Sequence, residues 1–328
     1  MSCKVAPVDL RGSLGLMRRR GIVHLMADLP AVEAQRGDLR FYLSEAQTQP
    51  NHFAGKPEPE TLNRAIGRAL AKLMSARGLT DLETAPRAAL AELYVFCSVM
   101  RSTPGEAGRL SAAFVNPYQV LTIRDHLMTL HATRLRFERQ RDTFEATRAI
   151  WLMRNGVKGL RLRDSLERMA MPDPDLWHHI VLEHDATCPG QREAALWCVQ
   201  QSACDRATVA GFLVNTALNG SLKRAVRQGD AGFVRSVRRV IELWNAGWYC
   251  NHELALDPPD RVEQTRDTVL ATLDKVACDL GGDPWPVPHG LFIRYEGRAV
   301  RRRDNWCLMT GTLLSPPKYE DYVDPIAA

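Results

Sequence analysis

Three histidines and a cysteine lie within eleven residues of one another, and their side chains are common zinc ligands. They are His178, His179, His184 and Cys188. The spacing matches no zinc motif, because residues five apart, such as His179 and His184, do not share a helix face. A zinc ion held by these four residues is one interpretation. The other is that His178 and His179 are partly exposed residues beside a buried Trp177.

A second thiol and imidazole lie close together at Cys250 and His252. Catalytic Cys–His pairs usually come from separated chain segments, since neighbouring side chains seldom point at one another. We interpret the stretch as a helix end. Asn251 would adopt the left-handed conformation there, and His252 would meet the negative end of the helix dipole. No catalytic residue is assigned.

Three arginines recur every seven residues along a long predicted helix, at Arg134, Arg141 and Arg148. Glu138 and Glu145 follow the first two by four residues, which is the spacing of helical ion pairs. The pattern favours a partly buried helix whose arginine stems cover apolar surface. A partner-binding or phosphate-contacting face is the alternative.

A second arginine cluster, Arg301, Arg302 and Arg303, lies near Tyr295 and Trp306 in the sequence. Basic side chains interleaved with aromatic ones bind single-stranded nucleic acid on small sheets. Charged side chains also protect the exposed edge of a hairpin, which is the commoner cause of such a pattern. Together with the helical arginines, these residues are the candidates for anion or partner binding.

Composition and missing motifs narrow the class of protein. The sequence contains no G-x-x-x-x-G-K-[ST], H-E-x-x-H or G-x-S-x-G, which lowers the expectation of a nucleotide-driven or hydrolytic enzyme. The 43 basic and 38 acidic residues leave a net charge of +5, which argues against a general nucleic-acid coat. The eight cysteines include no C-x-x-C pair, and no apolar stretch reaches the length of a membrane span. We expect a cytoplasmic protein with reduced thiols and no membrane contact.

Apolar residues recur at helical spacing through most of the chain. The pair Asn116-Pro117 predicts the start of a long helix that ends near Asn155 and acts as a spine. Asp173-Pro174, Asp205 and Asp230 predict further helix starts, and the short links between these helices indicate antiparallel packing. The expected fold is mainly α, a multi-helix antiparallel bundle-like body with a small C-terminal β-hairpin or meander.

Changes in composition divide the chain into four segments. They are an irregular N-terminal segment 1–57, a helical region 58–171, a helical module 172–282, and a Pro-rich link with a β-meander and acidic tail at 283–328. In the last segment, Leu291–Tyr295 and Arg298–Arg303 are expected to pair around a turn. Trp306–Leu314 would supply a third strand.

Residues 172–220 form the one stretch whose residue order is itself distinctive. Two helical segments, Leu176–Ile180 and Arg192–Trp197, precede the pair Cys204-Asp205, and Thr208 follows three residues later. This arrangement resembles the bacterial domain-of-unknown-function family numbered 4274, although the first loop lacks the family's Asn/Trp/Asp-rich link. The resemblance implies a small α-helical module without a known activity. The residues alone explain the motif as an Asp205 N-cap preceded by a small buried Cys204.

Helical faces without a catalytic signature predict a bacterial binding protein of the immunity, effector-associated or adaptor type, with another protein as its partner. Nucleic-acid binding through the two arginine clusters is an alternative. A metal protein or an enzyme that uses the stretch from His178 to Cys188 is another. No cofactor is predicted. A zinc ion bound by the stretch from His178 to Cys188 is the one alternative that stays open.

Overall fold

N-cap side chains set the starts of several helices. In the computed structural model, Asn116, Asp173, Asp205 and Asp230 each accept a hydrogen bond from a backbone N–H in the first turn of the following helix. Proline occupies the first position after Asn116 and Asp173, where its missing N–H costs nothing. These four predicted helix starts are confirmed.

The structure describes residues 28–153, 161–280 and 284–325. In these residues the fold is mainly helical, with two small two-stranded antiparallel sheets, which is the fold class that the sequence predicts. None of the described helices combines the length and the apolar character needed to cross a membrane. The chain divides into two compact units between Arg139 and Gln140.

The first unit is built from helices and one short hairpin around its own apolar core. Its elements are α1 (Val32–Gln47), β1 (His52–Phe53), β2 (Lys56–Pro57), α2 (Leu62–Ala76), α3 (Arg87–Arg101), α4 (Pro104–Ser111) and the first part of α5 (Pro117–Met153). The division between the units lies inside α5, whereas composition places a segment limit at residue 171. The predicted end of this helix at Asn155 lies outside the described residues.

Helix α1 corrects the expectation of irregular structure as far as residue 57. Its apolar stripe is sparse, with Leu39 and Tyr42 as its two buried apolar side chains. Packing against α2 stabilises it instead. A Cβ atom on Gly67 of α2 would lie 1.9 Å from the carbonyl oxygen of Tyr42, so glycine allows the two backbones to approach closely. A local pattern does not reveal such a helix.

The second unit holds the stretch with the distinctive residue order. Its elements after α5 are α6 (Leu162–Glu167), α7 (Pro174–Glu183), α8 (Pro189–Val199), α9 (Arg206–Leu218), α10 (Ser221–Gln228), α11 (Ala231–Asn245), α12 (Val262–Leu280), β3 (Trp306–Cys307), β4 (Thr312–Leu313) and α13 (Tyr319–Tyr322). Helix α9 contacts α7, α8, α10 and α12 and is buried on nearly every side, as a central helix must be. The core of this unit therefore forms around α9.

The predicted C-terminal hairpin is confirmed, but it lies elsewhere than expected. Strands β3 and β4 both fall inside Trp306–Leu314, which was expected to be one strand. The stretch Leu291–Arg303 forms no strand. Backbone groups of Tyr295 and Arg298 bond instead to the segment 253–256, at distances of 2.9 to 3.1 Å. Because a distant segment satisfies these groups, the predicted meander does not form.

Candidate functional site

The C-terminal arginines pair with carboxylates inside the second unit. Arg303 is only 2% exposed. Its Nε donates to Asp173 Oδ2 at 2.7 Å, and its Nη2 donates to Asp175 Oδ2 at 3.0 Å. The guanidinium also lies over the ring of Tyr322, with its Cζ atom 4.1 Å from the ring centre. This arginine connects the C-terminal segment to the N-terminus of α7.

Asp175 is the centre of this cluster. Arg298 donates to both of its carboxylate oxygens, at 2.7 and 2.8 Å, and the backbone N–H of Arg301 donates at 2.9 Å. Burial acts to raise the pKa of Asp175. The hydrogen bonds from Arg298 and the charges of Arg303 and Arg298 outweigh it, so that the pKa lies below its usual value. The carboxylate therefore stays charged and paired.

The other two arginines of the predicted cluster have carboxylate partners as well. Arg301 pairs with Asp324. Arg302 is largely exposed and lies 3.2 Å from Glu183 and 3.3 Å from Asp304. Ion pairs within the fold thus engage all of Arg301 to Arg303, but burial favours a structural role for Arg303 and not for Arg302.

The arginines of α5 divide between buried and exposed positions. Arg134 is buried, and it donates to Glu138 at 2.6 Å, as its spacing predicts, and to Glu58 at 2.7 Å. Arg141 donates to its neighbour Asp142 at 2.9 Å. Arg148 is exposed and lies 3.6 Å from Glu145. The interpretation of a partly buried helix with ion pairs describes Arg134 best.

The candidate zinc ligands are engaged in separate contacts. His178 is buried and bonds through Nδ1 to the hydroxyl of Thr208 at 2.9 Å, and burial lowers its pKa to about 4. His179 Nε2 lies 3.2 Å from Glu183, and His184 Nδ1 donates to a backbone carbonyl one turn earlier at 2.8 Å. Cys188 occupies the N-cap of α8. Within the described ranges, no group of three His, Cys, Asp or Glu side chains is placed to hold a metal ion.

The Cys204-Asp205 pair has the structural role that its residues predict. Asp205 accepts hydrogen bonds from the backbone N–H groups of Ala207 at 2.9 Å, Glu253 at 2.6 Å and Leu254 at 3.2 Å. Burial outweighs these bonds and raises the pKa of Asp205. Burial also raises the pKa of the Cys204 thiol, which makes it a poor nucleophile. Asp205 therefore both caps α9 and fixes a distant loop.

The interpretation of Cys250 to His252 as a helix end needs a correction. Helix α11 ends at Asn245, and the left-handed residue that follows is Gly247, with φ of 71°, rather than Asn251. The side-chain amide of Asn251 donates to the carbonyl of Ala203 at 2.8 Å. Gly247 adopts the left-handed conformation without a Cβ clash. Asn251 is therefore not needed at the turn, and its side chain links two loops instead.

A basic surface that the sequence analysis did not identify lies on α10 and α11. Between residues 221 and 245 the chain has six basic residues and two acidic residues, a net charge of +4, while the whole chain carries +5. We call the two helices and their basic side chains the basic hairpin. Its side chains are Lys223, Arg224, Arg227, Arg235, Arg238 and Arg239. A running charge count would have found it, whereas a search for consecutive arginines does not.

The hairpin keeps its basic side chains outside because its apolar ones face the core. Leu222 and Ala225 of α10 are buried, as are Val234, Val237 and Ile241 of α11. The link contains Gly229, whose φ of 69° ends α10 and turns the chain into α11.

Few acidic groups neutralise the basic hairpin. Arg238 and Arg239 share Glu242, at 3.5 and 3.3 Å. The acidic residue between the helices, Asp230, already caps α11 and pairs with Arg192 at 2.9 Å. The remaining four basic residues form no ion pair with any residue in the described parts of the chain. They are Lys223, Arg224, Arg227 and Arg235, of which Arg224 is near enough to Asp185 to help lower the pKa of that carboxyl.

Comparisons of the chain with protein-family models, with curated proteins and with solved structures find no match. The similarity of residues 172–220 to a family of unknown function stays a prediction.

Proposed function

We propose that the protein is a non-catalytic binding protein whose basic hairpin docks against an acidic surface of a partner protein. The observation that carries the proposal is the set of four unpaired basic side chains on two adjacent helices. Like charges held close together repel one another, and an acidic partner relieves this repulsion. Complementary charge also speeds encounter and fixes register between two proteins.

Neighbouring residues favour a protein partner over a nucleic acid. Leu218 and Trp248, in the chain segments that enter and leave the hairpin, are 45% and 49% exposed. Arginine and tryptophan are the side chains that contribute most often to the energetic centre of protein interfaces.

Four buried chemistry-bearing side chains of the second unit, Asp173, Asp175, His178 and Asp205, support a role without catalysis. Asp173 and Asp175 are buried under arginines, and His178 is held neutral against Thr208. Asp205 accepts backbone hydrogen bonds with both of its oxygens. These groups stabilise the fold. The exposed charges of the basic hairpin are therefore the ones available to contact a partner protein.

The test is fluorescence anisotropy with three labelled probes of equal charge: an acidic peptide with interspersed leucines, duplex DNA and single-stranded RNA. The variant carries Lys223→Glu, Arg227→Glu and Arg235→Glu, which lowers the net charge from +5 to −1. The matched control carries Lys72→Glu, Arg87→Glu and Arg168→Glu, three exposed positions outside the hairpin, with the same final charge. We expect the hairpin variant to bind the peptide at least about tenfold more weakly, and the control to bind like the wild type.

Several results would overturn the proposal. Tighter binding of DNA or RNA than of the peptide at the same salt concentration would assign the hairpin to nucleic acid. Equal losses in both variants would show that only total charge matters. In native mass spectrometry, an excess mass that matches a redox or group-transfer cofactor and is lost on unfolding would contradict a non-catalytic role.

A further inference from the structure

A surface cleft of about 200 Å³ lies beside the N-terminus of α9. Its lining residues belong neither to the Asp175 ion-pair cluster nor to the basic hairpin. Three chain segments of the second unit form its walls. The side chains that line it include Asp205, Arg206, Ile293, Arg294, Tyr295 and Glu296.

Arg206 is held in place without a polar partner. Its guanidinium lies over the ring of Trp244, with Cζ 3.8 Å from the ring centre. Trp244 is itself fixed, since it is 1% exposed and its Nε1 donates to the carbonyl of His289 at 2.8 Å. The guanidinium has no hydrogen bond or ion pair with any described residue. An oriented cation with free N–H groups is ready to bind a planar anion, because little rotational freedom is lost on binding.

Another segment that lines the cleft adds a second cation and apolar surface. Arg294 lies 3.4 Å from Asp257, and both side chains are more than 70% exposed, so the pair is weak. Ile293 is 53% exposed. The hydroxyl of Tyr295 is already bonded to the carbonyls of Gly290 and Leu291, at 3.1 Å each, so its ring acts as an apolar surface.

We propose that this cleft binds a small monocarboxylate whose apolar group is short. The Arg206 fork suits the two oxygens of a carboxylate, and the exposed side chain of Ile293 suits the apolar group. The carboxylates of Asp205 and Glu296 also line the cleft, so a doubly charged phosphate is disfavoured. The volume lies below the usual range of about 300–1,000 Å³ for sites of drug-sized ligands. This proposal does not depend on the function of the basic hairpin.

The probe is 3-methylbutanoate, titrated into the full chain and followed by calorimetry and by NMR of the Arg206 Nε–H and the Ile293 methyl groups. The neutral analogue 3-methylbutan-1-ol and inorganic phosphate are titrated in parallel. We expect saturable binding of 3-methylbutanoate alone. Arg206→Gln should weaken it by roughly tenfold or more, since a charged hydrogen-bonding partner is lost. Arg261→Gln is the matched control, an exposed arginine outside the cleft, and should bind like the wild type.

The proposal is overturned if wild-type protein shows no saturable binding of 3-methylbutanoate, or if the alcohol or phosphate binds equally well. It is also overturned if Arg206→Gln and Arg261→Gln bind alike. Should Arg206→Gln fail to fold, the NMR shifts of the wild type decide. Shifts centred on Arg206 and Ile293 support the cleft, and shifts centred elsewhere exclude it.

Discussion

Arg302 and Arg303 are neighbours in the chain with opposite surroundings. Arg302 is largely exposed, and Arg303 is buried against Asp173 and Asp175. Exposed ion pairs contribute little to stability, because solvent screens them and holding long side chains costs entropy. Removing one partner of a buried pair leaves an uncompensated charge in the core.

The first prediction compares these two arginines. Arg303→Ala should lower the free energy of unfolding by about 3–5 kcal/mol, because it leaves Asp173 buried without a cation. Arg302→Ala should change it by no more than about 0.5 kcal/mol. Urea denaturation followed by circular dichroism measures both. Similar losses for the two variants would show that the buried cluster is no more important than a surface pair.

The second prediction concerns His178 and acid. Burial lowers its pKa from 6.5 to about 4, so between these values the unfolded chain takes up a proton that the folded protein refuses. The neutral His178 side chain therefore makes its full contribution to the free energy of unfolding above pH 6.5. This contribution, on the order of 3 kcal/mol, is lost as the pH falls towards 4. His178→Asn does not titrate but keeps a polar group near Thr208. We expect it to flatten the fall in stability over this range. An unchanged pH profile would contradict a neutral, buried His178.

Single residues also decide how the elements of the second unit begin and turn. Asp205 and Asp230 both cap helices, yet their further contacts differ. Asp230 pairs with Arg192 near the surface, whereas Asp205 is buried and also accepts N–H groups from residues 253 and 254. The cap of α9 is therefore also a contact between distant segments.

The third prediction uses this difference. Asp205→Ala should lower the free energy of unfolding by about 2–3 kcal/mol, because it removes a helix cap and leaves two further N–H groups unsatisfied. Asp230→Ala should cost about 1 kcal/mol, the usual value of a lost cap. Thermal or urea unfolding of the two variants provides the comparison. A larger loss for Asp230→Ala would mean that the 253–254 contact contributes nothing.

The fourth prediction concerns the turn between β3 and β4. Gly311 has φ of 64°, and a Cβ atom there would lie 2.4 Å from the Cα of Leu162 in α6. Gly311→Ala should therefore cost about 3 kcal/mol, from both left-handed backbone and steric overlap. Gly229 has a similar φ but open space around it. Gly229→Ala should therefore lower the free energy of unfolding by about 1 kcal/mol. Equal losses, measured by urea denaturation, would show that the hairpin does not pack closely against α6.

At the scale of the whole molecule, charge is distributed unevenly along the chain. Residues 221–245 carry +4, so the rest of the chain carries +1. A small net charge thus hides a strongly basic segment. Attraction to a polyanion depends on local density of charge, because salt screens charges that lie more than about 8–10 Å apart.

The fifth prediction tests this distribution on immobilised heparin at neutral pH. Wild-type protein should be retained and should elute with salt. The variant with Lys223→Glu, Arg227→Glu and Arg235→Glu should pass through the column. The control with Lys72→Glu, Arg87→Glu and Arg168→Glu has the same net charge and should still be retained. Passage of both variants would show that net charge alone governs binding.

The sequence by itself determined the features that act within about one helical turn. Asn116 and Asp173 predicted helix starts because a cap side chain bonds to N–H groups two or three residues away. Spacing likewise predicted the pair of Arg134 with Glu138, and the mainly helical fold follows from such local signals. The cap at Asp205 belongs to the same class.

Tertiary structure alone decided the contacts between distant segments. The guanidinium of Arg298 meets Asp175, 123 residues away, and no local pattern records such a pair. Helix α1 depends in the same way on Gly67, and the candidate cleft depends on Arg206 lying over Trp244 beside a loop near residue 294. Whether a charged side chain is buried, paired or free is set by which surfaces the packed core brings together, since burial and ion pairing are properties of the folded chain.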